Sequence, residues 1–86
     1  MFNLGNLYAT PGVLEVVTDI EIIKSICRHL SGDWGEICKE DWDLNNEAVE
    51  MGYRILSVYT TSKGVNFWII TEADRSATTI LLPEEY

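Results

Sequence analysis

Positively charged residues are scarce in this sequence. Its 86 residues include six Lys and Arg against fourteen Asp and Glu, which gives a formal net charge of −8. The phosphate backbone of a nucleic acid repels such a surface, so direct binding to DNA or RNA is not expected. The excess of acids instead favours solubility and attraction to a protein partner with a basic surface.

Cysteines and long apolar runs are also rare. Cys27 and Cys38 are the only two cysteines and are not in CxxC spacing, which favours reduced thiols. No apolar run reaches the length of a membrane span. Residues 1–5 contain neither the basic region nor the apolar core of a secretion signal. Together these absences predict a cytoplasmic protein with no membrane partner.

What is present indicates one folded domain. Hydrophobic residues make up 47% of the chain, too many for a disordered tail. A chain of 86 residues buries enough surface for independent, modest stability but has no room for a second core. We therefore expect a single α+β domain over residues 1–86.

The sheet is predicted in the last third of the chain. Residues 53–60, 65–71 and 77–82 are rich in β-branched and aromatic side chains and are separated by short, turn-like linkers. Short linkers favour antiparallel hairpins, so we predict a three-stranded antiparallel meander. Residues 4–10 are predicted to be either an N-terminal edge strand or an extended arm.

Two or three helices are predicted to pack on this sheet. Thr10 and Pro11 suit the start of a first helix, and Thr18 or Asp19 suits the cap of a second over residues 20–30, ending at Gly32. A shorter third helix is predicted to begin at Glu40 or Asp43 and to end before Gly52. The apolar stripe predicted for the second helix consists of Ile22, Ile23, Ile26, Cys27 and Leu30.

Both faces of the predicted sheet are apolar, so the face turned away from the helices needs a cover. We expect four side chains to meet there: Tyr59, Trp68, Ile70 and Ile80. Trp34 or Trp42 of the acidic connector can supply the cover. Otherwise a two-fold dimer through this face is the simplest cover, and Tyr59 and Trp68 are candidate partner-binding residues.

An acidic, irregular connector is predicted over residues 31–46, and its acids continue into the third helix. Seven acids lie within eighteen residues and are candidate partner-binding residues: Asp33, Glu36, Glu40, Asp41, Asp43, Glu47 and Glu50. Such a patch can imitate a phosphate track and occupy the basic groove of a nucleic-acid-binding protein. The alternative is a solvated face whose acids sit at a helix N-terminus, where the helix dipole favours them.

Metal sites and catalysis find little support in the residue pattern. Asp41, Asp43 and Asn45 resemble the first half of an EF-hand loop, but the glycine and the final glutamate of that motif are missing. Cys27, His29 and Cys38 lack the spacing of a zinc finger. We therefore predict no metal, cofactor or catalytic residues, and interpret His29 as a residue favoured by the dipole at a helix C-terminus.

The turn over residues 72–76 has a simple structural interpretation. Asp74 and Ser76 can satisfy backbone groups of the turn, and Arg75 can pair with Glu72 or Asp74. The alternative is that this turn is a charged tip that contacts a partner.

Three stretches resemble a family of small bacterial proteins that are described only as plasmid-related: residues 31–35 (SGDWG), 68–76 (WIITEADRS) and 81–86 (LLPEEY). The resemblance implies a bacterial, mobile-element setting and brings no established activity. Together with the charge, it favours a small non-enzymatic protein that binds another protein, as an accessory or defence-inhibiting factor of a mobile element. The alternative is an enzyme or metal-binding protein of unknown chemistry.

Overall fold

Three helices and a four-stranded mixed sheet make up the fold in the computed structural model, which describes residues 2–86. The strands are β1 (Asn6–Ala9), β2 (Ile55–Thr60), β3 (Asn66–Thr71) and β4 (Ala77–Leu81). The helices are α1 (Pro11–Val16), α2 (Asp19–Ser31) and α3 (Lys39–Met51), and a 3-10 turn (Pro83–Glu85) follows β4. No helix within residues 2–86 is both long and apolar enough to cross a membrane.

The strand order is β1-β4-β3-β2. Strands β2, β3 and β4 are antiparallel neighbours joined by short turns, as the sequence predicts. The N-terminal strand β1 joins them at the edge, parallel to β4, with Asn6 opposite Ala77 and Ala9 opposite Ile80. Of the two alternatives for residues 4–10, the structure has the edge strand, so the predicted three-stranded antiparallel sheet is corrected to a four-stranded mixed one. A parallel pair needs a long crossover, and the helices with β2 and β3 supply it.

Local capping signals define the first two helices. The Thr10 hydroxyl accepts a hydrogen bond from the Val13 amide, and Pro11 occupies the first helical position. The Thr18 hydroxyl accepts from the Glu21 amide, and Gly32 ends α2 in the left-handed conformation at φ 86°. Both helices were predicted from these residues.

Helix α2 is rotated relative to its predicted apolar stripe. Ile22, Ser25 and His29 are buried, whereas Ile23 and Cys27 are exposed. The rotation follows from the polar partners of His29 in the sheet, described below. The predicted position of Cys27 on a buried stripe is therefore wrong.

Helix α3 is longer than predicted. It begins at Lys39 and spans 13 residues, so the irregular connector is limited to residues 32–38. No side chain caps its N-terminus, which explains why a search for a capping residue placed the start too late. Glu40 and Asp41 stabilise the first turn through the helix dipole instead.

The sheet faces differ from the prediction at two positions. Val58 is opposite Trp68 and Tyr59 is opposite Phe67, so Tyr59 and Trp68 point to opposite faces. Tyr59 and Ile80 are buried in the hydrophobic core that the helices cover. The predicted group of four on the second face is therefore wrong, and only Trp68 and Ile70 lie there.

The C-terminal segment lies against the second face. Trp68 and Tyr86 are in edge contact with ring centroids 5.7 Å apart. Arg54 donates a hydrogen bond to the Tyr86 hydroxyl at 2.6 Å. Trp34 and Trp42 pack instead in a second core cluster that contains Ile55 on the helix side. The prediction that Trp34 or Trp42 covers the second face is therefore wrong.

Phe67 belongs to the main core, and Ile26 packs against that core from a half-buried position. We expect Phe67→Ala to lower the free energy of unfolding by ~3–5 kcal/mol, because it removes a wholly buried ring. Ile26→Ala is expected to lower it by less. Chemical denaturation of both variants measures the two losses. A loss below ~1 kcal/mol for Phe67→Ala would contradict this assignment.

Candidate functional site: an acidic line on α3

Four carboxylates form a line along the exposed side of α3. The side of α3 that packs against the rest of the protein carries four buried or half-buried side chains: Trp42, Asn45, Ala48 and Val49. The exposed acids recur at spacings of three, four and three residues: Glu40, Asp43, Glu47 and Glu50. Residues at these spacings share one helix face. With a rise of 1.5 Å per residue the line is about 15 Å long, and we refer to these four residues as the acidic line.

The helix dipole accounts for only one end of the acidic line. Glu40 lies in the first turn of α3, where a negative charge is favoured. Glu47 and Glu50 lie near the other end, where it is disfavoured, and the last turn of α3 has no basic residue of its own. Like charges at these spacings also destabilise a helix by about 0.2–0.5 kcal/mol per pair. The acidic line therefore weakens the helix that carries it.

Arg75 compensates the C-terminus of α3 from a distant turn. Its guanidinium donates to the Ala48 carbonyl oxygen at 2.8 Å and to the Tyr53 carbonyl oxygen at 2.6 Å. It reaches them from the β3–β4 turn, where Arg75 has a left-handed backbone at φ 60°. The predicted pairing of Arg75 with the carboxylate of Glu72 or Asp74 is wrong. Of Glu72, Arg75 contacts only the backbone carbonyl oxygen, at 3.1 Å, and the Glu72 carboxylate lies 3.7 Å from Arg54. The contact of Arg75 with α3 was missed, since no local pattern indicates it.

The remaining predicted acids are not on this line. Asp33 forms a two-point ion pair with Arg28, with nitrogen–oxygen distances of 2.8 and 3.2 Å. That hydrogen bond lowers the pKa of Asp33. Asp41 lies on a neighbouring side of α3, beside a shallow groove that Arg54 also lines. Glu36 is exposed in the connector before α3.

The two aromatic candidates are also separated from the acidic line. Tyr59 is 1% exposed and its hydroxyl donates to the Asp33 carbonyl oxygen at 2.7 Å. Burial raises the pKa of Tyr59 to about 12. Trp68 is half-buried beside Tyr86 on the second sheet face. The structure thus brings together four of the nine predicted partner-binding residues.

A buried chain of hydrogen bonds passes through His29. Its Nδ1 contacts the Ser57 hydroxyl, and its Nε2 contacts the Thr71 hydroxyl at 2.8 Å. Thr71 contacts Thr78 at 2.8 Å, and Thr78 donates to the Leu4 carbonyl oxygen at 2.7 Å. Because Thr78 gives its proton to Leu4, Thr71 donates to Thr78 and Nε2–H of His29 donates to Thr71. Burial keeps the ring neutral by lowering the pKa of His29, so Nδ1 carries no proton and accepts from the Ser57 hydroxyl.

The Ser57–His29 contact is structural. Both residues are 0% exposed, so no substrate reaches the hydroxyl. The ring nitrogens of His29 are both occupied, whereas Cys27 and Cys38 are exposed. Within residues 2–86, no group of three or more His, Cys, Asp or Glu side chains is placed to hold a metal ion. The only sequence signal for this hydrogen-bond chain is the presence of polar residues within apolar strands, such as Ser57 in β2.

Comparison of the chain with protein-family models, with curated proteins and with solved structures finds no match. The resemblance of residues 31–35, 68–76 and 81–86 to plasmid-related proteins therefore stays a prediction. The interpretation of the acidic line depends on its geometry and charge.

The buried His29 is expected to make stability depend on pH. Burial, with a smaller effect of the Arg75 charge, lowers the pKa of His29 from 6.5 to about 4. The folded state therefore holds a neutral ring that the unfolded chain protonates below pH 6.5. Its stabilisation is complete above pH 6.5 and is lost as the pH falls towards 4, by about 3 kcal/mol in total.

Urea denaturation of wild type and His29→Gln over this pH range isolates the effect, since the other titrating acids are common to both chains. The stability advantage of the wild type is expected to shrink as the pH falls. A difference that stays constant with pH would contradict the assignment.

Proposed function

We propose that this chain is a small non-enzymatic protein that binds a basic surface of another protein through the acidic line. The observation that carries the proposal is the position of Glu47 and Glu50, near the C-terminal end of α3, where the helix itself is destabilised by acids. A solvated helix face gains nothing from this arrangement. A partner with basic side chains turns the same repulsion into attraction.

The spacing of the charges supports a more specific form of the proposal. Four carboxylates lie along about 15 Å of helix, or one per about 5 Å, and this linear charge density is somewhat lower than, but of the same order as, the one charge per 3.4 Å of a DNA strand. A basic groove that binds nucleic acid is therefore a suitable partner surface. With the resemblance to plasmid-related proteins, we propose an accessory or defence-inhibiting role in the cytoplasm of a bacterium that carries a mobile element.

A pair of charge-matched variants tests the proposal. Glu40→Gln, Glu47→Gln and Glu50→Gln together remove three charges from the acidic line and leave Asp43, which Lys39 contacts at 2.9 Å. The control combines Glu15→Gln, Asp19→Asn and Glu84→Gln, three exposed acids on other elements. Both variants change the net charge equally.

Immobilised wild-type chain is incubated with bacterial proteins that bind heparin. We expect wild type and control to retain the same proteins and duplex DNA to displace them, because both ligands use the same basic groove. The acidic-line variant is expected to lose most of this retention. The proposal would be contradicted if both variants retained the heparin-binding proteins equally, or if duplex DNA did not reduce their retention.

Direct binding of this chain to nucleic acid is not expected. The net charge of −8 repels phosphates, and its six basic residues are scattered along the chain. Fluorescence anisotropy with a labelled random duplex at physiological salt should show no tight complex. Tight binding there would mean that the acidic line does not dominate the surface.

A further inference from the structure

The two edges of the sheet differ in whether their outward backbone groups have hydrogen-bond partners. At the β2 edge, the Val58 amide donates to the Trp34 carbonyl oxygen at 3.1 Å, and the Glu36 amide donates to the Val58 carbonyl oxygen at 2.7 Å. The Asn45 side chain pairs with both backbone groups of Leu56, at 2.7 and 3.3 Å. The connector and α3 therefore close this edge.

The β1 edge is open. The amides of Asn6 and Thr10 donate to Ser76 and Ile80 of the neighbouring chain segment, each at 3.0 Å. Because alternate residues of a strand point their backbone groups to opposite sides, those of Leu7 and Ala9 point away from the sheet. Within residues 2–86, β1 pairs with β4 alone.

This open edge lacks the features that normally protect an edge strand. Natural edges are blocked by charged side chains, proline or a bulge. Strand β1 contains no charge and no proline, and the first charged residue of the chain is Glu15. Leu7 and Tyr8 are 51% and 54% exposed on it. Its short length of four residues is the one protective feature present.

We propose that β1 pairs with β1 of a second copy of this chain in antiparallel orientation, to form a continuous eight-stranded sheet. With the two-fold axis at Tyr8, Leu7 faces the partner's Ala9 and Ala9 faces the partner's Leu7. These two pairs exchange four backbone hydrogen bonds. The two Tyr8 residues then form a pair without mutual hydrogen bonds, and aromatic cross-strand pairs of this kind stabilise a sheet.

The absence of charge on β1 allows a second copy to be the occupant. Two chains of charge −8 repel each other, and β1 is a surface on which they can meet without placing any acid opposite another. A two-fold pair is also self-complementary, because the same residues of both copies face each other. The extended segment is bounded on one side by Gly5, with a positive φ of 66°, and on the other by Thr10, which caps α1, so it has the same length in both copies. Four backbone bonds make a small interface, so the association is weak and depends on concentration.

Sedimentation velocity from low micromolar to submillimolar concentration tests the association. Wild type is expected to shift from monomer to dimer over this range. Leu7→Lys places a charge on the strand and is expected to abolish the shift. Leu14→Lys is the matched control, because Leu14 is similarly exposed but lies on α1, and it is expected to dimerise like wild type. Circular dichroism checks that both variants fold.

A cross-link tests the register independently of any loss of folding. Tyr8→Cys, in a background of Cys27→Ser and Cys38→Ser, brings two Cα atoms to about 4.5 Å, within the range of a disulfide. Mild oxidation is expected to give a covalent dimer. Asn6→Cys in the same background is the control, because this position lies on the same face but about 14 Å from its own copy, and it is expected to stay monomeric.

Two results would overturn the proposal. One is a wild type that stays monomeric at every concentration, with no faster cross-linking of Tyr8→Cys than of Asn6→Cys. The other is a dimer that survives Leu7→Lys but is lost in Trp68→Lys, which would place the contact on the second sheet face instead.

Discussion

His29 holds five segments of the chain in register, because its ring and the hydroxyls around it form one continuous chain of hydrogen bonds that ends at the Leu4 carbonyl oxygen. Helix α2, strands β2, β3 and β4, and the segment before β1 each supply one member. A buried hydroxyl left without a partner costs about 1–3 kcal/mol. A slip of β2 by one residue would replace the Ser57 hydroxyl with the apolar side chain of Leu56 or Val58 and break the chain of bonds. Among the described residues, no buried side-chain polar atom lacks a partner.

The same histidine shows where prediction from sequence stops. The caps of α1 and α2 could be predicted because Thr10, Thr18 and Gly32 act on residues a few positions away. The inward position of His29 could not, because its partners Ser57 and Thr71 lie 28 and 42 residues along the chain. Apolar periodicity alone gives more weight to Ile23 and Cys27 than to Ser25 and His29. The geometry of the sheet decided the rotation of α2.

The error at Tyr59 has a similar origin. Alternation within β2 and within β3 was predicted correctly, but the faces were matched wrongly across the hairpin. The match depends on the turn, where the Thr61 amide donates to the Val65 carbonyl oxygen at 2.9 Å, and a difference of one residue there reverses the faces. The acidic line was only partly predictable for a related reason. Its acids were all identified, but their alignment needs the start of α3 at Lys39.

The parallel pair of β1 and β4 has a consequence for synthesis on the ribosome. Strand β1 is synthesised before its partner β4, which follows roughly seventy residues later and so emerges about 4–14 s later at 5–20 residues per second. Until then neither side of β1 is paired, and none of its four residues carries a charge that would discourage other contacts. Nascent chains on neighbouring ribosomes of the same mRNA therefore present identical β1 strands, unpaired on both sides, at high local concentration. Completion of β4 closes one side of each strand and leaves the other as the permanent edge of the sheet.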